Sequence, residues 1–131
     1  MSAWNTGPFD NDDAADLIAS GDLSWRRLQK EFDDVLHAHG YLQAPDASEA
    51  LAGIALVAAK LGGKGVLPAK LSGLPAKLGP MPEKLPGLAL KALLRIRGED
   101  SELNEMWQES EDFADWVKRL DDIEAVLMRA V

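Results

Sequence analysis

The sequence predicts an all-α fold, with residues 1–131 forming a single domain of five or six helices. Three observations carry that expectation. Apolar residues recur at helical spacing between residues that cap helices well. No run of alternating β-branched residues appears along the chain. A chain of 131 residues also hides roughly two-thirds of the surface of its unfolded form, enough for one core without disulfide or metal staples.

The elements follow in order. Gly7-Pro8 shapes a turn into an acid-rich start, Phe9-Asp10-Asn11-Asp12-Asp13-Ala14-Ala15-Asp16, where Asp10 or Asn11 can cap a helix and Phe9 can pack back as a staple. From Ser24, the apolar positions Trp25, Leu28, Phe32, Val35, Leu36 and His39 form a one-sided stripe that Gly40 can stop, with Ser24 or Asp22 as cap. Asp46-Ala-Ser-Glu49 has the spacing of a capping box, and Ala50 to Leu61 is apolar almost all round, as a central helix would be. Leu88 to Ile96 reads as a helix stopped by Gly98, and Asp100 or Ser101 starts a short one carrying Leu103, Met106 and Trp107. The last helix places Phe113, Trp116, Val117, Leu120, Ile123 and Leu127 on one face, with Ser110 as its cap.

Between the third and fourth helices the pattern changes. Leu67-Pro-Ala-Lys-Leu-Ser-Gly, Leu74-Pro-Ala-Lys-Leu-Gly-Pro and Met81-Pro-Glu-Lys-Leu-Pro-Gly align at a period of seven, and Leu88-Ala-Leu-Lys continues the register without proline. A proline in every unit forbids one long helix, because each removes a backbone donor and clashes with the preceding turn. Proline suits a first helical position and glycine the position after a last one, so residues 62–87 are expected to be a Pro/Gly/Lys-rich connection of short helical turns that folds its leucines onto neighbouring helices.

The charge layout follows the same division. The net charge is -8, from 14 Lys+Arg and 22 Asp+Glu, yet residues 60–97 hold eight bases and only one acid, Glu83. The absence of cysteine removes disulfides, thiolate metal sites and Cys nucleophiles. The first cation is Arg26, so the start lacks the basic residues of a secretory signal. The longest uncharged apolar run, Leu51 to Ala59, falls far short of the ~20 residues that span a bilayer, and a cytoplasmic protein without a membrane span is expected. All eight aromatic residues lie outside 60–97, so the basic segment lacks the stacking platforms of a single-strand binder, and the acidic remainder would repel a polyanion; no nucleic acid is expected.

Chemistry is hard to assemble from these residues. His37 and His39 are two apart and point to different sides of a helix, whereas a metal pair needs spacing of about four. No phosphate-cradling glycine loop is present, no catalytic residue is assigned, and no cofactor is implied. The remaining candidates for a hard cation are the oxygen ligands Asp10, Asn11, Asp12, Asp13 and Asp16, although their spacing is not that of a calcium loop. The competing reading gives them to the helix start, where carboxylates meet the positive end of the dipole.

The stretch Trp4-Asn-Thr-Gly7-Pro8-Phe9-Asp10-Asn11-Asp12-Asp13 resembles the opening Trp-Gly-x-Gly-Pro-Phe-Asp-Asn-Asp signature of a bacterial family catalogued as domain of unknown function 4259, with Asn5 in place of the usual glycine. Asp100-Ser-Glu-Leu-Asn-Glu-Met-Trp107 is similar to a second segment of that family, and the alanine-rich helix also fits. The resemblance implies a small helical protein with no catalytic residues to carry over, and a structural corner in which Trp4, Gly7, Pro8, Phe9 and Asp10 take part.

The functional expectation is a non-catalytic intracellular protein that binds a protein partner or itself, in a regulatory or inhibitory role. Contacts are expected through the basic residues Lys70, Lys77 and Lys84, or through the acidic residues Glu105, Glu109, Glu111 and Asp112. The alternative is a cation-dependent enzyme or ligand-binding domain that uses the N-terminal Asp/Asn cluster.

Overall fold

The alanine-rich segment is buried on every side from residue 50 to residue 58, and the other helices arrange themselves around it. A computed structural model describes residues 7–131. Among these the chain forms seven α-helices and no strand: α1 (Asp12–Ala19), α2 (Trp25–Leu36), α3 (Ala44–Lys60), α4 (Leu74–Lys77), α5 (Leu85–Arg97), α6 (Glu102–Gln108) and α7 (Phe113–Arg129), with a 3-10 turn at Ala69–Leu71. The count exceeds the expected five or six because α4 is a single turn inside the proline-rich connection.

Helix α3 touches every other helix, and small residues let them approach. The clearest case is Gly53, where a Cβ would lie 2.8 Å from Leu28 Cδ2 and 3.3 Å from Phe32 Cε1. Helix α2 presents Trp25, Leu28, Phe32 and Val35 to the core, as its stripe predicts, and Ser24 Oγ accepts the Arg27 N–H at 3.1 Å as its cap. The stripe ends sooner than expected. The helix stops at Leu36, so His39 is exposed rather than on the apolar face, and it is His37 whose Nδ1 lies 2.7 Å from a last-turn carbonyl, that of Asp33.

The start of α3 also differs from its sequence pattern. The expected capping box at Asp46 and Glu49 does not form, because Pro45 suits the first turn and lets the helix begin at Ala44. Its cap comes from far along the chain: the Ala44 N–H donates to Glu102 Oε1 at 2.7 Å. Glu49 instead accepts from Arg27 Nη2 at 2.9 Å.

The connection after α3 turns its Leu and Met residues (Leu67, Leu71, Leu74, Leu78 and Met81) inward, partly buried against the core, and leaves Lys70, Lys77 and Lys84 exposed. Trp25 Nε1 donates to the Gly79 carbonyl at 3.0 Å and ties the connection to α2. Gly79 has φ 76°, a left-handed value that a side chain would strain. Helix α5 begins three residues before the apolar run that announced it, with Pro86 in its first turn. Helix α7 buries Trp116, Leu120, Ile123 and Leu127; Ser110 does not cap it but accepts the Asp112 N–H at 3.1 Å in the preceding turn.

Candidate binding cleft

The N-terminal corner is built from local bonds. The Gly7 N–H donates to Asp10 Oδ2 and the Asp10 N–H to the Gly7 carbonyl, both at 3.1 Å, and a Cβ at Gly7 would collide with the Asp10 carboxylate. Asn11 is buried, accepts the Ala14 N–H at 2.8 Å as the α1 cap, and donates from Nδ2 to the Pro8 carbonyl at 3.3 Å. Phe9 packs into the core beside it. Trp4, the remaining residue expected in this corner, lies outside the described residues.

The five candidate cation ligands therefore part company. Asp10 is bonded to a backbone amide, Asn11 caps α1, and Asp12 and Asp16 are exposed. Asp13 is half-buried, and its carboxyl is held above the usual carboxylate range by burial and by the negative charges of Asp16, Glu49, Asp12 and Asp46. Among the described residues, no three His, Asp or Glu side chains are grouped to hold a metal ion.

Asp13 faces a cleft of about 280 Å³ between the corner, the start of α3 and helix α6. Gly7, Pro8 and Asn11 form one wall, and Ala44, Pro45, Ser48 and Leu51 of α3 form the next. Glu102, Leu103, Met106 and Trp107 of α6 close it, with Trp116 of α7. The two indoles stack, with ring centroids 5.7 Å apart and planes 14° from parallel. Two segments far apart in sequence are pinned at the cleft's edge by backbone pairing: the Leu42 N–H donates to the Asp100 carbonyl at 2.7 Å and the Glu102 N–H to the Leu42 carbonyl at 2.9 Å. Arg95 clasps the same junction, donating to the carbonyls of Glu99, Asp100 and Gly40.

A second acidic site lies between α2 and α3. Arg27 pairs with Asp22, with Glu31 at 3.2 Å and with Glu49 at 2.9 Å. Despite that cation, burial and the adjacent Glu49 carboxylate push Glu31 up to about 7. Tyr41 is pushed up to about 12, chiefly through its hydrogen bond with Glu105.

The residues expected to meet a partner are all at the surface. Lys70, Lys77 and Lys84 are exposed, as are Glu105, Glu109, Glu111 and Asp112, and none of these three lysines forms an ion pair among the described residues. Sequence reasoning included Asn11 and Asp13 among the candidate site residues but missed Ser48, Glu102 and the stacked indoles. Trp107 and Trp116 read only as core positions, and nothing local announces that Glu102 caps a helix 58 residues earlier.

Both segments that carry the family resemblance line this cleft, the first through Gly7, Pro8, Asn11 and Asp13 and the second through Glu102, Leu103, Met106 and Trp107. No curated protein matches the chain, and no solved structure does. A family model described as Domain of unknown function (DUF4259) matches residues 2–119, and the chain belongs to that family.

Proposed function

We propose that this is a non-catalytic, cytoplasmic bacterial protein that acts by binding an acidic partner protein, in a regulatory or inhibitory role, through the lysines of its seven-residue repeat. One observation carries the reading. In a chain of net charge -8, Lys70, Lys77 and Lys84 stay exposed and form no ion pair among the described residues. The leucines between them lie against the core, and the fold turns the lysine of each unit outward. Such a stripe would steer an acidic surface and lose strength as salt rises.

The test compares the parent with the Lys70→Glu, Lys77→Glu, Lys84→Glu triple variant in capture from lysate of the source bacterium at about 0.15 M salt. A partner held by the parent, released at high salt and missed by the variant supports the reading. Capture that the variant retains, or no captured protein at all, refutes it. Sedimentation of the purified chain reads the other arm: a dimer abolished by the same variant would make the partner a second copy, through Glu105, Glu109, Glu111 or Asp112. Binding of oligonucleotides would contradict the reading.

A second reading, a ligand-binding domain that uses the N-terminal Asp/Asn cluster, is favoured by the position of Asn11 and Asp13 on the cleft. Its cation-dependent form has fewer free ligands than the sequence offers, because Asp10 and Asn11 already bond backbone amides. Thermal melting with calcium, magnesium or manganese tests that form. A rise in midpoint abolished by Asp12→Ala with Asp13→Ala supports it, and no rise with any ion removes it.

A further inference from the structure

We propose that the cleft between the N-terminal corner, α3 and α6 binds an organic cation, a primary ammonium or guanidinium carried on a short apolar stem. The proposal rests on the ligand-binding reading above and adds the chemistry of the ligand. Four features of the cleft converge on it. Among the described residues its charged lining is two carboxylates, Asp13 and Glu102, and no Lys or Arg lines it. The positive end of α3, which would otherwise welcome an anion, is already occupied by Glu102 through the Ala44 N–H. Much of the remaining lining is apolar, with Leu103, Met106 and the stacked, largely buried indoles of Trp107 and Trp116, a surface for an alkyl stem.

The fourth feature is Ser48. The residue is 93% buried and lines the cleft, and its side chain makes no hydrogen bond among the described residues. No buried side-chain oxygen or nitrogen among the described residues lacks a partner, so this hydroxyl opens to the cleft, where it can accept from an entering ammonium or guanidinium N–H. Burial chiefly holds the Asp13 carboxyl above its usual range, and the neighbours that add to this, Asp16, Glu49, Asp12 and Asp46, are all negative, so a cation placed there relieves a repulsion already present. A volume of about 280 Å³ sits at the small end of ligand pockets, which are roughly 300 Å³ and upward, and it exceeds what a bare ion needs.

The experiment titrates the full chain with cadaverine and agmatine, following the indole N–H signals of Trp107 and Trp116 by NMR. Pentanol is the uncharged control, and lysine and arginine blocked at both backbone ends stand for side chains of a peptide. The proposal expects saturable shifts at both indoles with the cations, weak or no response to pentanol, and about tenfold weaker binding in Asp13→Asn and in Glu102→Gln. Both variants keep their side-chain shape, and Glu102→Gln keeps an acceptor for the Ala44 N–H. Ser48→Ala should weaken binding by a smaller factor. Response to the blocked residues makes the source a protein or peptide side chain; response to the diamines alone makes it a free amine. Equal binding of pentanol, or unchanged binding in both charge variants, overturns the proposal. Shifts with magnesium or calcium but not with the amines also overturn it, while leaving the ligand-binding reading standing. No response to any probe removes both.

Discussion

Glu31→Gln should stabilise the protein above neutral pH and lose that advantage in acid. Glu31 lies beside Glu49 with its side chain only 17% exposed, and its carboxyl is pushed from the ordinary 4.5 up to about 7. The sign follows from proton linkage: the folded state binds this proton more tightly than the unfolded chain, so the fold is favoured below 4.5 and that contribution is lost as pH rises through 7. The difference between 7 and 4.5 at 1.36 kcal/mol per pH unit sets a ceiling of roughly 3 kcal/mol. Solvent screening and relaxation around a partly exposed carboxylate reduce this to about 1 kcal/mol, already net of the attraction to Arg27. In a domain of this size that is a rise of about 4 °C in Tm near pH 8. Glutamine keeps an acceptor for the Arg27 Nε–H, now 3.2 Å from Glu31 Oε1. Urea denaturation followed by circular dichroism, at steps from about pH 5 to pH 8, measures the difference. The exposed Asp34→Asn, which loses only a surface pair with Lys30, is the control and should move by less than about 0.5 kcal/mol. A Glu31→Gln variant that is less stable than the parent near pH 8, or an advantage that does not change with pH, would refute the reasoning.

Three further outcomes test the fold around the cleft. Asn11→Ala removes the α1 cap and the donor to the Pro8 carbonyl, and should cost about 1–2 kcal/mol in thermal or urea denaturation. Glu102→Ala should cost about 1 kcal/mol and speed hydrogen exchange at the Ala44 amide, whereas Glu102→Gln should keep most of that protection. Gly53→Val forces side-chain atoms into Leu28 and Phe32 at a site with no free space, and should destabilise by about 2 kcal/mol in urea; a neutral result would mean α2 and α3 can separate cheaply.

What could be read from the sequence was what neighbouring residues decide. The α2 and α7 stripes and the caps at Ser24 and Asn11 were legible because each depends on residues within a turn or two. The start of α3 was not. Asp46 and Glu49 have the spacing of a local cap, but Pro45 moved the helix start and Glu102 supplied the acceptor from the first turn of the distant α6. His39 was misplaced for a related reason: periodicity continues through a sequence without showing where the backbone stops obeying it, and here α2 ends at Leu36. The cleft suffers most from this limit. Its walls come from four separated stretches, and only the lining residues of the N-terminal corner, Gly7, Pro8, Asn11 and Asp13, could be singled out beforehand as part of a site.

The division of charge has a physical logic that residue type makes visible. Within the basic segment the two arginines are used inside the fold. Arg97 pairs with Asp121 at 2.7 Å and Glu124 at 3.2 Å on α7, and Arg95 gathers three carbonyls at the junction beside α6. A planar guanidinium suits such multidentate work, whereas a lysine is a strongly hydrated point charge on a flexible stem. Lys70, Lys77, Lys84 and Lys91 stand exposed at one residue per repeat, and none forms an ion pair among the described residues. The opposite charges of the chain are thus cancelled internally where geometry demands it and left facing water where only the repeat places them. Exposed lysines of this kind contribute little to stability. Their recurrence at every seventh residue therefore adds little to the fold, and it is on this exposed row that the proposed partner contact rests.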